Sequence, residues 1–406
     1  MNTTHPSALK RALGFSLLLA LTFQAASLQA GPREQAKRIH DRLLGTPPTS
    51  ACLDQLENEI ANGDGLSAAL DAMEDDGAGD ACTDPSFYNV TLKNFVTPWT
   101  NEAQTMFDSL NDYTATVIGL IRDEDDFRKV LYDDVLYIGD ASLGLPAYSP
   151  GNNNHYETME QRNVDLRQYL VRTTQSTLQG IPSAATAGIM TSRAAARAFF
   201  VDGTNRAMFR FTMLNHLCTD LEQIKDPTRA HDRIRQDVSR SPGGDSRIYM
   251  NACSGCHAGM DPLAQAYAYY NYEYDRDTDP EANNGRLVYT EGEVQPKYLI
   301  NADNFKWGYV TRDDRWDNYW REGPNSFLGW SAQGGSGNGA KSLGQELANS
   351  TAFARCQVQK VFKNVCLREP VNAGDEAAFE TMVSDFQSDF NLKLVFANAA
   401  SHCMGD

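Results

Sequence analysis

The chain has 406 residues and a formal net charge of −17 at pH 7. This length suggests two or three packed units with ample material for a core. So acidic a chain repels phosphate backbones and anionic membrane surfaces, and we therefore expect no nucleic-acid partner.

The N-terminus has the three parts of a secretory signal. Lys10 and Arg11 supply positive charge, residues 12–23 form an apolar run, and residues 28–30 offer a small-residue cleavage site. The run is too short to span a bilayer comfortably, which favours cleavage over a retained anchor helix. We predict a signal peptide over residues 1–30 and a mature protein without a membrane span, exported to the periplasm or secreted.

The next region, residues 31–182, is predicted to be helical. A Pro-Pro pair at 47–48 ends its first helix. Apolar residues recur at helical spacing between Leu110 and Ile121, so residues 91–180 are interpreted mainly as helix.

Residues 183–274 contain two predicted helices, 191–200 and 204–217. A turn-rich link over 239–247 follows and leads directly into the sequence Cys-Ser-Gly-Cys-His at 253–257. This region therefore combines a helical framework with two closely spaced thiols and an imidazole.

Residues 275–340 differ in character from the rest of the chain. Within 285–330, the stretch LVYT at 287–290 has an alternating pattern, and residues that favour strands, several of them aromatic, follow it. This predicts a small irregular β insertion with a local aromatic core. The C-terminal region, 341–406, returns to helix, with an apolar stripe over 351–368 and a second helix from about Asp375. The predicted fold class is mainly α: a multi-helical protein with a small irregular β insertion.

The chain has eight cysteines, which in an exported protein either pair or carry a cofactor. Setting aside Cys253 and Cys256 leaves six, enough for three disulfide bonds. The most local pair joins Cys52 to Cys82. If 351–368 is one helix, Cys356 and Cys366 are roughly 15 Å apart along its axis and cannot bond to each other. The partners available to them are Cys218 and Cys403.

The CxxCH segment is the strongest chemical signal in the sequence. Two thiols three positions apart can each add to one vinyl group of a haem, and the adjacent His257 is then the proximal iron ligand. A structural zinc site needs a second pair of ligands, and a redox dithiol usually follows a strand in a βαβ unit. We therefore predict one covalent haem c, held by Cys253 and Cys256.

The other haem contacts are less determined by the sequence. Candidate sixth ligands of the iron are Met190, Met213 and His216, on predicted helices before the motif. An open or water-ligated iron is the alternative. Arg247, next to the motif, is the candidate partner of a haem propionate, and Arg206, Arg210 and Arg240 are further ones.

Several segments carry a resemblance to a known family. CSGCHAGMDP at 253–262 resembles the CxxCHxxMDP signature of planctomycete-type and myxobacterial multi-domain cytochrome c proteins, which are assembled from adjoining domains of unknown function. Residues 42–49, 187–218 and 341–362 are similar to other elements of that family, and 275–340 has the character of an insertion. The resemblance implies Cys253 and Cys256 as attachment points, His257 as proximal ligand, and Asp261-Pro262 as a structural turn.

The leading functional expectation is an exported mono-haem c-type cytochrome that transfers electrons to or from a basic redox partner. The first alternative is a peroxidase- or oxygenase-like haem enzyme with an open distal iron position. The second is a binding or assembly protein with a structural haem. The sequence leaves open whether a substrate is turned over.

Overall fold

The computed structural model describes residues 30–74, 80–201 and 203–405. Apart from Ala30, the predicted signal peptide lies outside the described residues. Within them the chain is mainly helical and has three small two-stranded sheets, which confirms the predicted fold class.

The N-terminal helices are α1 (Pro32–Leu44), α2 (Ser50–Ala61) and α3 (Gly65–Met73). Helix α1 ends at Gly45, whose φ of 73° is left-handed, just before the predicted break at Pro47-Pro48. The hydroxyl of Thr49 accepts a hydrogen bond from the Cys52 backbone N–H and caps α2.

The middle region is less helical than its sequence predicted. Its elements are a π-helical turn at Phe87–Leu92, α4 (Lys93–Val96), α5 (Asp112–Arg122), β1 (Leu136–Gly139), α6 (Asn154–Gln161), α7 (Leu166–Tyr169), β2 (Leu170–Thr173) and α8 (Gln175–Leu178). Strands β1 and β2 pair antiparallel, so the interpretation of 91–180 as mainly helix is wrong there. Each strand is four residues long, and periodicity cannot separate a strand from a helix over so short a run.

The region that carries the CxxCH segment contains α9 (Arg193–Phe199), α10 (Arg206–Leu217), α11 (Ser246–Ile248), a π-helical turn (Tyr249–Cys253) and α12 (Ser254–Ala264). Helices α9 and α10 confirm the two predicted helices to within a few residues. Helices α10 and α12 pack against each other and frame the candidate site.

The small β insertion is confirmed, but only part of its aromatic core is local. Tyr298 lies in a small cluster with Ala268 and Tyr269, whereas Trp316 and Trp320 belong to the main core. Strand β3 (Tyr270–Tyr274) pairs with β4 (Gly285–Tyr289), and β5 (Arg315–Asp317) pairs with β6 (Ser336–Asn338). Tyr298, Trp316 and Trp320 are almost fully buried. Trp307 and Phe327 are exceptions, since they are 84% and 66% exposed.

The C-terminal region consists of α13 (Gly339–Ala348), α14 (Thr351–Cys366), α15 (Ala373–Asp389) and α16 (Leu392–Cys403). The apolar stripe predicted for α14 is buried. Among the residues that the structure describes, no helix is both long and apolar enough to cross a membrane.

Three disulfide bonds join Cys52 to Cys82, Cys218 to Cys356 and Cys366 to Cys403. All three pairs agree with the sequence argument, including the two partners inferred for α14. Disulfides persist in oxidising compartments, so this set fits a periplasmic or extracellular protein.

Gly344 on α13 provides a test of the core packing. A Cβ at this position would lie 1.8 Å from the backbone oxygen of Leu131. Alanine normally stabilises a helix by about 1 kcal/mol relative to glycine, but here Gly344→Ala should lower the free energy of unfolding by about 2–3 kcal/mol because the backbone must move. Urea unfolding measures the change. Ser384→Ala, at an exposed position of α15, is the control and should change stability by less than about 0.5 kcal/mol. A stabilised Gly344→Ala protein would contradict this packing.

Candidate haem site

The candidate site lies on a continuous helical segment that runs from α11 through the π-helical turn into α12. Cys253 ends the π-helical turn, and Cys256 lies three residues further on, in the first turn of α12. Residues three apart lie on the same side of a helix, so the two thiols are neighbours. Single π-helical turns are frequent at functional sites.

These two cysteines are the free ones in a chain whose other six are paired. Both side chains are half-buried. Because Cys253 and Cys256 are adjacent and yet unbonded, their thiols are available for a different covalent partner.

The surroundings of Cys253 are apolar. Its side chain packs against a cluster of buried residues that is separate from the main core: Ile234, Val238, Tyr249 and Phe305. The guanidinium of Arg240 lies 4.8 Å from the Phe305 ring centre, and its Nη2 lies 3.3 Å from the sulfur of Met250. Met250 is exposed, so this apolar side of the site reaches the surface.

The surroundings of Cys256 disfavour a redox dithiol. Its Sγ donates to the Leu221 carbonyl oxygen at 3.5 Å. Burial raises the pKa of the Cys256 thiol, and the negative charge of Glu222 adds to this effect. Catalytic dithiols depend on a lowered thiol pKa, so the change has the wrong direction for that chemistry.

His257 has one nitrogen engaged and one available. Its Nδ1 lies 3.0 Å from Oδ1 of Asp261, one helical turn later. Nε2 has no hydrogen-bond partner among the described residues, and the side chain is 19% exposed. With the proton on Nδ1 donated to the carboxylate, Nε2 carries the lone pair, which is the arrangement that metal-ligating histidines adopt.

Asp261 is fully buried in a network of four charged side chains. Oδ1 accepts a hydrogen bond from Nε of Arg206 at 2.7 Å, and Arg206 also bonds Asp237 at 2.6 Å. Arg235, itself fully buried, bonds Asp237 at 2.8 Å. Burial opposes ionisation of Asp261, but Arg206 and His257 outweigh it and hold the pKa of this carboxyl well below its ordinary range. The two arginines and the two aspartates of this network balance in formal charge.

This network was not found from the sequence. The resemblance implied a structural turn at Asp261-Pro262, whereas both residues lie inside α12. The available signal was the spacing of His257 and Asp261, which places them on one face of a helix. Arg206, which the sequence offered as a propionate partner, is already bonded to two carboxylates.

Arg247, the leading candidate for a propionate contact, lies at the surface beside the motif. Its side chain is 86% exposed and pairs with Asp245. Arg240 is the arginine that packs against the apolar cluster next to Cys253. A propionate contact through Arg247 therefore stays a prediction, with Arg240 closer to the buried wall of the site.

The three candidate sixth ligands lie in the main hydrophobic core. The sulfur of Met190 accepts a hydrogen bond from the Tyr267 hydroxyl at 3.1 Å. Nε2 of His216 lies 3.0 Å from the Tyr113 hydroxyl. Met213 is fully buried on α10. No hydrogen bond or ring contact among the described residues joins the three side chains to the CxxCH segment.

His216 should make the stability of the fold sensitive to acid. Burial, together with the charge of Lys360, holds the pKa of His216 well below its ordinary value of 6.5. Below about pH 6.5 the unfolded chain therefore takes up a proton that the native state does not, and stability is lost as the pH falls. We expect His216→Gln to reduce the loss in unfolding free energy between about pH 6 and pH 5 by roughly 1 kcal/mol. Urea unfolding at both pH values measures the slope, and an unchanged slope would contradict this account.

Other features of the described residues do not form a competing metal site. No group of three or more His, Cys, Asp or Glu side chains within them is placed to hold a metal ion. Two open clefts, of about 890 and 690 Å³, are lined mostly by polar residues outside the CxxCH segment. The donor set at 253–257 thus suits a haem iron, which needs one imidazole from this segment, better than zinc, which needs four protein ligands.

Comparisons of the chain with protein-family models, with curated proteins and with solved structures found no match. The CxxCH segment is therefore the feature of the chain from which a function can be inferred. That segment combines two unpaired thiols one helical turn apart with a histidine held by a buried carboxylate.

Proposed function

We propose that this protein is an exported mono-haem c-type cytochrome that transfers electrons. One observation carries the proposal. Of eight cysteines, six form disulfides, and the remaining two lie one helical turn apart directly before a histidine whose Nε2 is available. The resemblance of residues 253–262 to a cytochrome c signature agrees with this interpretation.

The residues fit a covalent haem. Thioether bonds from Cys253 and Cys256 would fix the group along one side of the segment, and Nε2 of His257 would ligate the iron. When bound, the haem supplies a one-electron redox couple. The role of the chain is to attach the group, to hold the imidazole through Asp261, and to exclude water with the apolar cluster beside Cys253.

The apolar cluster beside Cys253 excludes water from one side of the CxxCH segment. Tyr249 is buried, and its ring centre lies 5.8 Å from that of His257. Low polarity beside an iron centre influences its potential and the access of solvent. Exposed Ile248 and Met250 lie on the same helical segment, which would give a partner protein an apolar point of approach.

Export and a basic partner complete the proposal. The basic and apolar N-terminal residues are typical of a secretory signal, and the three disulfides agree with an oxidising compartment. A net charge of −17 favours association with a positively charged redox protein, with a rate that falls as salt is added.

A second function, a haem enzyme with an open distal iron position, is favoured by one observation. The sulfur of Met190 and Nε2 of His216 are each hydrogen-bonded to a tyrosine hydroxyl. If no side chain approaches the iron opposite His257, small molecules can bind there.

Two measurements distinguish these functions. In stopped-flow mixing, the reduced protein should pass electrons to a basic mono-haem cytochrome, at a rate that falls with ionic strength. The visible spectrum of the reduced protein should not change when carbon monoxide is added. An immediate spectral change together with slow, salt-independent electron transfer would contradict the relay and support the enzyme.

A further inference from the structure

We propose that Asp261 is the positioning residue of the axial histidine and that it lowers the midpoint potential of the haem. The inference rests on the proposed function, because it concerns the histidine of the proposed haem site. Its basis is the buried contact between the Asp261 carboxylate and Nδ1 of His257, at 3.0 Å.

The contact is directional because Asp261 cannot turn away from it. The carboxylate is fully buried, and the oxygen that meets His257 also accepts a hydrogen bond from Arg206 Nε at 2.7 Å. The other oxygen lies 3.4 Å from the backbone N–H of Arg235. A carboxylate held on both oxygens fixes the ring orientation of the histidine one turn before it on α12.

Arg206 is held in turn from its other side. Its Nη1 and Nη2 bond Asp237, which is fully buried and also bonds Arg235. The whole support therefore consists of a rigid set of side chains contributed by α10, the segment 235–237 and α12. A histidine that needed only to fill space would not require this support.

The chemical consequence follows from charge. An ionised carboxylate that accepts the Nδ1 proton increases the electron density of the imidazole and makes Nε2 a stronger donor. A stronger donor stabilises the oxidised iron more than the reduced iron, so the midpoint potential falls. The same contact keeps the Nδ1–H tautomer, which leaves Nε2 free for the metal.

The test compares Asp261→Asn with Asp375→Asn in the holoprotein. Both variants remove one buried carboxylate that bonds an arginine and a histidine, but only Asp261 contacts His257. Covalent attachment through the thiols should persist in both variants. Loss of an outer-shell partner typically weakens a metal site 10- to 100-fold. For Asp261→Asn we expect a change of about that size in the ratio of reduced to oxidised protein. For a one-electron couple this corresponds to a rise of about 60–120 mV in the midpoint potential.

The control variant should change the midpoint potential, relative to the wild-type protein, by only a small fraction of that rise. Electron paramagnetic resonance of the ferric form should change in Asp261→Asn and not in Asp375→Asn, because only the first alters the donor strength of the ligand. Equal shifts in both variants, or no shift in Asp261→Asn, would overturn the inference and leave the proposed function intact. Absence of haem from the wild-type protein would instead overturn the proposed function.

A third variant applies if Asp261→Asn does not fold. Asp261→Glu keeps the negative charge that Arg206 requires and moves the carboxylate by one methylene group. We expect a smaller rise in potential and a changed ferric resonance spectrum. An unchanged potential with an unchanged spectrum would overturn the inference.

Discussion

Replacing both Cys253 and Cys256 by alanine is expected to abolish covalent haem attachment. The other six cysteines are bonded to one another, so no second thiol pair can substitute. The measurement is the intact mass of protein produced together with a c-type cytochrome maturation system, combined with haem staining after denaturing electrophoresis. Wild-type protein should carry one haem, and the double variant none.

The single variants refine this expectation. Either Cys253→Ala or Cys256→Ala leaves one thiol for one vinyl group, which should shift the absorption of the pyridine haemochrome toward that of a haem with one free vinyl group. Met250→Leu, an exposed neighbour on the same segment, is the control and should retain two thioether bonds. Covalent haem in the double variant would contradict the assigned attachment site.

Removing the Cys218–Cys356 disulfide is expected to be the largest stability change. Its cysteines are 138 residues apart. Loss of a bond that closes so long a loop should cost about 5 kcal/mol through the entropy of the unfolded chain. The bond also joins the C-terminal end of α10 to α14. Arg206 is the first residue of the same helix α10. The Cys218→Ser/Cys356→Ser protein should therefore show a much lower midpoint in urea than the wild type.

The Cys52–Cys82 bond provides the matched control for this prediction. Its cysteines are 30 residues apart, and the same relation gives a loss of about 3.6 kcal/mol for the paired serine variant. The loss of unfolding free energy is thus expected to be larger for the longer loop, by roughly 1 kcal/mol. The reverse order, with comparable unfolding slopes, would contradict the view that loop closure dominates.

The disulfide pattern could be inferred from the sequence because a helix is rigid. Once the apolar stripe of α14 was recognised, the rise along the helix separated Cys356 from Cys366, and each needed a distant partner. Helical periodicity also made α9 and α10 predictable. By contrast, β1 and β2 are four-residue strands separated by α6 and α7, and no local sequence pattern predicts that they pair.

The support of the site could not be predicted, because it depends on contacts between distant residues. Arg206 meets Asp261 across 55 positions of sequence and Asp237 across 31. Arginine and aspartate at such separations have no periodic signature. The contact between His257 and Asp261 on α12 could have been predicted from the sequence, since residues four apart lie on one face of a helix.

The sixth-ligand candidates illustrate a different limit. Residue type and a place before the motif make Met190, Met213 and His216 candidates, and core residues satisfy the same description. The structure places all three in the main core. A side chain that ligates a metal and one that fills a helix interface differ in what they face, which depends on tertiary packing.

Peptide mapping of the wild-type protein by mass spectrometry, without reduction, tests the central claim most directly. The peptide that contains Cys253 and Cys256 should carry the mass of one haem, and the other six cysteines should appear as the three disulfide-linked pairs. Protein from an exporting host with a complete haem-attachment system is the appropriate material. A peptide with free thiols, or with Cys253 bonded to Cys256 and no haem, would contradict the account.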